Sequence, residues 1–418
     1  MSSQENNYRY YSKKDYSSIN KSIVYEEKEK RQSKQNSIFY TVELKYYYYE
    51  NNHDYKDDYY DENDIGVYYI VIPKEYLENK QNLIKDKNDI FSKGKILTLY
   101  PLPNHDDFKF DVVVESSEKD PKNENIEYAY LVPIKKKYKE YNEKLLGTYQ
   151  IEERSGDLTY ERMLDAINEF TKGNCCSKNL ENYILGNNIN NIYQKRPNLF
   201  NYNINYLTNI YNYAKLTRNQ EEKIENIFYQ EMSTINISGK QSNEIICLII
   251  YAIYQCRKNK RDKILVCSSS NSVADSIALD MLRMRFYIND FNILRIYAKN
   301  QEIINRNKRL NRISFHKLIK RRYKKNFYNK QQKKQWILKN KDIIISTCVN
   351  SYNDDIINLS FPFVVIIDAN NSNENENLIP ITLNAKHALL ISYEGSDNKK
   401  VNLYKRIKYL YPQNHYEI

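Results

Sequence analysis

The stretch between Ser233 and Asn271 constrains the fold of this chain most, because a strand, a tight turn, a helix and a second strand follow one another there. The first run, Thr234 to Ile237, is β-prone and breaks at Ser238-Gly239. Apolar residues recur at helical spacing from Asn243 to Cys256, and Lys263 to Cys267 indicates the second strand. Such a βαβ unit is the part from which nucleotide-binding α/β domains are built.

The turn after the first strand differs from a phosphate-binding loop. That loop has the form G-x-x-x-x-G-K-[ST], because backbone N–H groups surround the phosphates and a Lys reaches them. Here Gly239 and Lys240 are present, but Thr234 stands at the place of the leading Gly. Gln241 follows the Lys where a hydroxyl would hold Mg²⁺. The position therefore predicts a nucleotide site, whereas the residue types argue against it.

Short alternating segments before this unit predict a small antiparallel β-barrel, because turn-rich stretches rather than helices separate them. The segments are 37–48, 66–72, 95–100, 108–114 and 127–132. A charged, solvent-exposed helix from Tyr16 to Asn36, with an apolar face of Ile19, Ile23 and Val24, precedes the barrel. Two helices follow it, one from Thr159 as N-cap to Phe170 and one from Ser177 to Leu185, ending at Gly186.

After Ser270 the chain alternates between helices and strands of nearly continuous apolar character. This pattern predicts a parallel sheet covered on both faces, so the fold class is α/β. We expect a frayed, disordered N-terminus over 1–15, stalk helices with the barrel over 16–190, and a linker over 191–212. The sheet domain then covers 213–418 and contains a basic helical insertion at 299–341.

Positive charge is concentrated in that insertion. Between Ile303 and Lys341 there are 15 Lys or Arg and no Asp or Glu, which exceeds the net charge of +11 for the whole chain. A local basic stripe is typical of a protein whose partner is a polyanion. In one part of it Lys317, Lys320, Arg321, Arg322, Lys324 and Lys325 are interleaved with Phe315, Tyr323, Phe327 and Tyr328.

Two functions fit the basic segment. Cations can hold phosphates while aromatic rings accept stacked bases, which predicts binding of RNA or single-stranded nucleic acid. The alternatives are a solvated helix face or a nuclear-import signal at Lys320 to Lys325. The tetra-tyrosine at Tyr46 to Tyr49 could also stack bases, but we favour an ordinary strand end as its explanation.

The remaining composition indicates a soluble, intracellular protein. The six cysteines form no C-x-x-C pair, and four of them lie in apolar runs, so small core residues in a reducing compartment are expected rather than zinc ligands or disulfides. Met1 to Asn7 lacks the apolar core of a signal peptide, and the longest apolar run is too short to span a bilayer. We therefore expect no membrane partner and a cytoplasmic location, with a nuclear one as the alternative.

Several segments in a fixed order resemble the motifs of a superfamily-one helicase, and specifically the up-frameshift RNA helicases, or regulators of nonsense transcripts, of nonsense-mediated mRNA decay. Gln220 lies where the Q motif reads adenine, Ser268 to Asn271 resemble motif Ia, Thr347 lies in motif Ic, and Asp368 ends motif II. Thr159 to Met163 with Tyr183 to Gly186 are similar to the stalk segment, and Leu378 to Lys386 to the stretch between motifs II and III. The likeness covers about 16–395.

This resemblance implies a RecA-like domain with a helical insertion, a stalk helix and a barrel. It implies weak nucleotide contacts by Gln220, Gly239, Lys240, Ser242 and Asp368, with ATP and Mg²⁺ as the ligands in question. It implies phosphate contacts by Ser269, Ser270, Asn271 and Thr347 beside the basic residues named above. The alternative for the nucleotide residues is structural: Lys240 caps a turn, Asp368 ends a strand in solvent and Gln220 is a surface helix residue.

Several residues depart from the family pattern and indicate a degenerate, truncated member. No two glycines lie closer than Gly147 and Gly156, so realignment cannot restore a glycine-rich loop. Ala369 stands in place of the Walker B glutamate that polarises the attacking water. The place of motif III, Ile391 to Gly395, has no Gln. Family members also have a second RecA-like domain with an arginine finger and a Cys/His-rich zinc domain. From this sequence we expect neither.

The sequence therefore predicts a nucleic-acid-binding protein derived from an RNA helicase, with no catalytic residue, no metal ligand and no certain cofactor. The alternatives are one half of an active helicase of mRNA decay, whose second domain is on a separate chain, and a protein-interaction platform. Besides nucleic acid, mRNA-decay factors or that second helicase domain are the partners these readings imply.

Overall fold

A computed structural model of the chain describes most of its residues, and these form two folded parts. The residues that it describes are 9–10, 12–35, 40–47, 67–78, 90–91, 95–102, 110–121, 123, 125–133, 145–153, 157–187, 199–201, 216–239, 241–284, 291–298, 301–302, 308–321, 329–395 and 401–418. They divide into two compact units. One contains 1–28, 157–297 and 307–418, and the other contains 29–156 and 298–306.

The second unit contains a closed antiparallel barrel in the order β1-β2-β5-β4-β3-β6, which confirms the predicted barrel. Its strands are β1 Tyr40–Tyr47, β2 Val67–Val71, β3 Ile96–Pro101, β4 Phe110–Lys119, β5 Glu127–Pro133 and β6 Gly147–Glu153. The sequence did not predict β6, which closes the ring by pairing with both β1 and β3. Inward side chains such as Tyr68, Val112 and Leu131 are fully buried and fill the interior.

The first unit is built on a seven-stranded sheet in the order β13-β7-β12-β11-β8-β10-β9, in which every pair is parallel. Its strands are β7 Met232–Ile237, β8 Ile264–Ser268, β9 Ile293–Arg295, β10 Ile343–Thr347, β11 Phe363–Ile367, β12 His387–Tyr393 and β13 His415–Glu417. Strands β8 and β11 are buried at every residue, as expected for a sheet with helices on both faces.

Helices surround the sheet and enclose two large apolar clusters, one on each face. Their bounds are α1 Lys13–Gln35, α2 Asp157–Lys172, α3 Lys178–Leu185, α4 Arg218–Ile227, α5 Ser242–Cys256, α6 Asn271–Met284, α7 Phe315–Lys320, α8 Lys330–Lys339, α9 Glu374–Ile381 and α10 Leu403–Leu410. Among the described residues, no helix has both the length and the apolar character that a membrane crossing requires.

The structure corrects two predictions about the helices. In α1, Ile19 and Ile23 are 49% and 41% exposed, while Tyr16, Asn20 and Val24 are buried, so the apolar face is set by Tyr16 and Val24. Thr159 lies inside α2, which begins at Asp157, and is therefore not its N-cap. The cap residues of α3 are as predicted: Ser177 accepts a hydrogen bond from the Leu180 N–H, and Gly186 adopts φ 77°.

All six cysteines are buried as free thiols, in agreement with the expected core role.

Candidate nucleotide and nucleic-acid site

The carboxyl ends of the central strands bring the predicted site residues together. Ser268 of β8 is in register with Ile367 of β11 and with Thr347 of β10. The next residues along the chain, Ser269 and Asp368, therefore leave the sheet side by side. In open parallel sheets, ligands bind in the crevice outside these carboxyl ends.

Asp368 is the most constrained residue of this edge. It has φ 60° and is only 8% exposed. One carboxylate oxygen accepts a hydrogen bond from Ser269 Oγ at 3.1 Å, and the other accepts one from Asn371 Nδ2 at 2.8 Å. The alternative that Asp368 ends its strand in solvent is therefore wrong. Ala369, at the place of the catalytic glutamate, is fully buried.

The turn between β7 and α5 uses its polar groups internally. Gly239 has φ 90°, and an added Cβ would meet no atom within 4 Å, so the glycine is required for its backbone conformation and not for space. Ser242 Oγ donates to the Gly239 carbonyl at 2.6 Å, and Gln241 occupies the N-cap position of α5 without a side-chain cap bond. Lys240 lies outside the described residues, so its role stays a prediction.

Gln220 is engaged at the start of α4. Its Oε1 accepts hydrogen bonds from the Thr217 N–H at 3.0 Å and from Thr217 Oγ1 at 3.1 Å, completing a capping box. This geometry is the one that the structural alternative describes. An adenine contact by Gln220 stays a prediction, and it would require the acceptor to leave Thr217.

The residues of the motif Ia-like turn are positioned by their neighbours. Ser270 Oγ accepts from the Val273 N–H at 3.3 Å in the first turn of α6. Asn271 Oδ1 accepts from Nη2 of the fully buried Arg295 at 2.8 Å, and Arg295 also pairs with Asp275 at 2.7 Å. Ser270 and Asn271 are both half-buried, so each side chain remains partly exposed to solvent at the start of α6.

Tyr393 and Asn243, which were not identified from the sequence as site residues, connect the end of β12 to the start of α5. The Tyr393 hydroxyl, at the end of β12, donates to Asn243 Oδ1 at 2.9 Å in the first turn of α5. Burial, with the negative charge of Asp368 nearby, raises the pKa of Tyr393 well above its ordinary value, so the hydroxyl stays a donor. A tyrosine in the segment expected to contain a Gln was the signal that could have identified this residue.

Helix α7, within the basic segment, begins at the same edge of the sheet. Ser314 pairs with Arg295, the last residue of β9, so α7 begins where β9 ends. Lys317, Lys320 and Arg321 are exposed. The other basic and aromatic residues predicted for this surface, Arg322, Tyr323, Lys324, Lys325, Phe327 and Tyr328, lie outside the described residues.

One residue of α7 differs from the prediction. Phe315 is 1% exposed and packs in the core, so its ring is not available to stack on a base. Burial and the adjacent Lys317 and Lys320 lower the pKa of His316 to about 4, so this histidine adds no charge at neutral pH. The cationic surface described at α7 therefore consists of Lys317, Lys320 and Arg321.

The side chains at these positions do not fit a Mg²⁺–nucleotide complex well. Both oxygens of Asp368 are engaged within the protein, the hydroxyl after the Gly-Lys pair is replaced by Gln241, and the Ser242 hydroxyl is directed to a carbonyl. Within the described ranges no cluster of three His, Cys, Asp or Glu could hold a metal ion.

Comparisons with known proteins agree with this fold. A family model described as "AAA domain" matches residues 302–391. The chain is 24% identical over 259 residues to "ATP-dependent helicase NAM7" of Saccharomyces cerevisiae and equally to "ATP-dependent helicase upf1" of Schizosaccharomyces pombe, with 56% of this chain covered in both cases. It is 23% identical over 274 residues, 59% of this chain, to "Regulator of nonsense transcripts 1" of Dictyostelium discoideum.

The aligned regions span 25%, 27% and 20% of those relatives, about a quarter of their length.

The parallel sheet, with its βαβ turn and with serine, threonine and aspartate at the carboxyl ends, is a RecA-like, helicase-like α/β fold, and the chain also contains the barrel. By these matches the chain is similar to the up-frameshift-like helicases of superfamily one.

Proposed function

We propose that this chain binds single-stranded nucleic acid, RNA in the first instance, without hydrolysing ATP. The observation that carries the proposal is the exposed cationic surface of Lys317, Lys320 and Arg321 at the carboxyl edge of the sheet. This surface belongs to the segment 303–341, which contains 15 basic residues and no acidic residue. Phosphate contacts supply most of the affinity in such complexes, and they need positive charge more than sequence-specific groups.

Neutral groups at the carboxyl ends of β8 and β10 complete the proposed contact set. Ser269, Ser270 and Asn271 lie at the end of β8, and Thr347 lies at the end of the neighbouring β10. Hydroxyl and amide groups are regular donors to phosphate oxygens. These neutral donors position the nucleic-acid strand, whereas the cations provide the salt-dependent part of the free energy of binding.

The absence of ATP hydrolysis is proposed from the residue types at the nucleotide edge. Ala369 has no group that could accept a proton from water, and such a positioned base is worth about 10²–10⁴ in rate. The engaged carboxylate of Asp368 and the glutamine at position 241 weaken a Mg²⁺ site further. Asp368 and the turn could still support weak nucleotide binding.

The test is fluorescence anisotropy with labelled oligo-U at several salt concentrations. We expect binding at low salt and a log-log slope that scales as about −0.7 per phosphate contacted. The triple variant Lys317→Glu, Lys320→Glu and Arg321→Glu should weaken binding at least tenfold. It should also reduce the magnitude of the negative slope by about 2. Binding that is absent, or independent of salt, would refute the proposal.

The matched control is a triple reversal of exposed cations elsewhere on the same unit. Lys258, Arg261 and Lys386 are exposed and lie near the amino ends of β8 and β12. The variant with all three changed to Glu has the same net charge as the test variant, so it should lose only the long-range attraction. Equal losses in the two variants would mean that the charge of the whole molecule, not the α7 surface, determines affinity.

A second function, one half of an ATP-dependent helicase, is favoured by the retained Asp368 and by the names of two relatives, which are ATP-dependent helicases. It predicts RNA-stimulated phosphate release, either by this chain alone or after addition of a chain that contains the second domain. Release above a control with Asp368→Asn would support this alternative and reject the proposed lack of hydrolysis.

A further inference from the structure

The nucleotide edge of the sheet contains a side-chain network that crosses three elements. Tyr393 at the end of β12 donates to Asn243 Oδ1 at 2.9 Å. The amide nitrogen of Asn243, in the first turn of α5, donates to Ser276 Oγ at 2.9 Å and to Asp280 Oδ2 at 3.1 Å. Ser276 and Asp280 are one turn apart on α6.

Every hydrogen-bonding group of the Asn243 side chain is used in this network. The carbonyl accepts from Tyr393, and the two N–H groups serve the two acceptors on α6. Asp280 is itself held by Arg283 Nη1 at 2.6 Å, so its carboxylate is oriented from the other side. Tyr393 and Asn243 are both half-buried, which makes these bonds harder for water to replace.

The same elements are the ones that a bound nucleotide connects in a phosphate-loop protein. Phosphates bind at the N-terminus of the helix after the first strand, and Mg²⁺ bridges them to the carboxyl ends of neighbouring strands. Here the end of β12 and the start of α5 are joined by groups of the chain itself. The second contact of Asn243 extends the connection to α6, whose first residues are the proposed nucleic-acid contacts.

We infer that Tyr393 and Asn243 are positioning residues that take over the connecting role of a nucleotide and hold the start of α6 in one arrangement without any ligand. This inference rests on the proposed function and adds its regulation: affinity for nucleic acid is independent of nucleotide. Ser269, Ser270 and Asn271 are then preorganised, because the helix that follows them is fixed to α5 and β12.

The direct test is hydrogen–deuterium exchange of the amides of 269–276 in the free protein. In the wild type, exchange should be unchanged by Mg²⁺ with a non-hydrolysable ATP analogue. Tyr393→Phe and Asn243→Ala should each accelerate exchange in this segment by about fivefold or more, as expected for the loss of one net hydrogen bond or two.

Tyr404→Phe is the matched control. The Tyr404 hydroxyl is also buried and donates to the Ile235 carbonyl at 3.3 Å, on the β7 side of the same unit. Its loss removes a similar bond and should leave exchange at 269–276 unchanged. Equal acceleration by Tyr404→Phe, or none by Tyr393→Phe and Asn243→Ala, would overturn the inference.

A double-mutant cycle in oligo-U binding separates positioning from general destabilisation. Ser270→Ala should weaken binding in the wild type and have little further effect with Tyr393→Phe, whereas Lys320→Glu should be additive with Tyr393→Phe. Additivity of Ser270→Ala would contradict the network. Failure of the wild type to bind oligo-U would refute the proposed function, while the exchange experiment would still decide whether the network holds α6.

Discussion

At the scale of single residues, the site is determined by which polar atoms are already engaged. Asp368 and Gln220 look from the sequence like free ligands, because a motif gives residue types and spacing but not the direction of a side chain. In the structure their acceptor oxygens are bonded to Ser269 and Asn371, and to Thr217. The position of Asp368 after β11 was predictable, since a buried apolar strand precedes it.

Restoring the missing glutamate should destabilise the protein rather than activate it. Ala369 is fully buried, so Ala369→Glu places a carboxylate in the interior of the protein. We expect a loss of at least about 2 kcal/mol in the free energy of unfolding and no ATP hydrolysis. Urea denaturation measures the first and phosphate release the second. Lys386→Glu, at an exposed position, should change stability by less than about 0.5 kcal/mol.

His387 should make stability depend on pH below neutrality. It is fully buried beside Phe200 and Phe363, and burial lowers its pKa to about 4, despite a contact of Nε2 with the Ile227 carbonyl at 3.2 Å. The unfolded chain binds a proton near the ordinary histidine pKa of about 6.5. The contribution of neutral His387 to the free energy of unfolding should therefore be fully present above about pH 6.5 and decrease as the pH falls toward 4.

Comparison with His387→Phe isolates this effect from that of other groups. The wild type should lose up to about 1.4 kcal/mol more per pH unit than the variant between about pH 6 and 4.5. Urea denaturation at pH 7.5, 5.5 and 4.5 gives the two slopes. Parallel slopes would show that His387 is protonated in the folded protein.

At the scale of helices and strands, periodicity predicted the long elements and missed those held by a few contacts. Strand β8 is an apolar run, and its bounds were predicted within one residue. The helix α10 has only eight residues, five of which are Lys, Arg or Tyr, and β13 has three residues, so both are too short to be recognised from apolar spacing alone. The place of α10 is set by tertiary contacts, above all those of Arg406, and that of β13 by its pairing with β7.

The pair of Arg406 and Glu374 should be essential for the attachment of α10. Arg406 is 1% exposed and donates to both oxygens of Glu374 in α9, at 3.1 and 2.9 Å. It also donates to the Ile184 carbonyl at 2.5 Å. Glu374→Gln leaves the guanidinium buried without its counter-charge, so we expect a loss of about 3–5 kcal/mol by urea denaturation.

An exposed pair provides the control for that variant. Lys172 and Glu169 lie 2.8 Å apart, with side chains 70% and 41% exposed. Lys172→Ala should cost less than about 1 kcal/mol, since solvent screens such pairs. A loss in Glu374→Gln no larger than this would mean that the buried carboxylate contributes little to holding Arg406.

At the scale of the whole molecule, the chain has separate apolar interiors in the barrel and around the sheet. The order of short strands followed by alternating helices and strands was sufficient to predict both folds, because each architecture follows from how its elements bury their apolar sides. The closing strand β6 was missed, since polar residues occupy four of the seven positions from Gly147 to Glu153 and make the segment resemble a loop.

The separate interiors predict local responses to core truncation. Leu131 and Ile366 are both fully buried, one inside the barrel and the other in the sheet. Leu131→Ala and Ile366→Ala should each cost about 2–5 kcal/mol in the part concerned. Hydrogen–deuterium exchange should therefore accelerate mainly in β1 to β6 for Leu131→Ala and in β7 to β13 for Ile366→Ala. Uniform acceleration after either substitution would show one cooperative unit.

The margins of the sheet have a consequence for self-association. Its outermost strands, β9 and β13, have three residues each, and the six barrel strands form a ring without an open side. A chain with 42 tyrosines and several isoleucine-rich strands contains segments of the kind that can form amyloid-like ladders. Within the described parts such segments lie between partners, and only short templates face outward, so fibril growth must wait for unfolding.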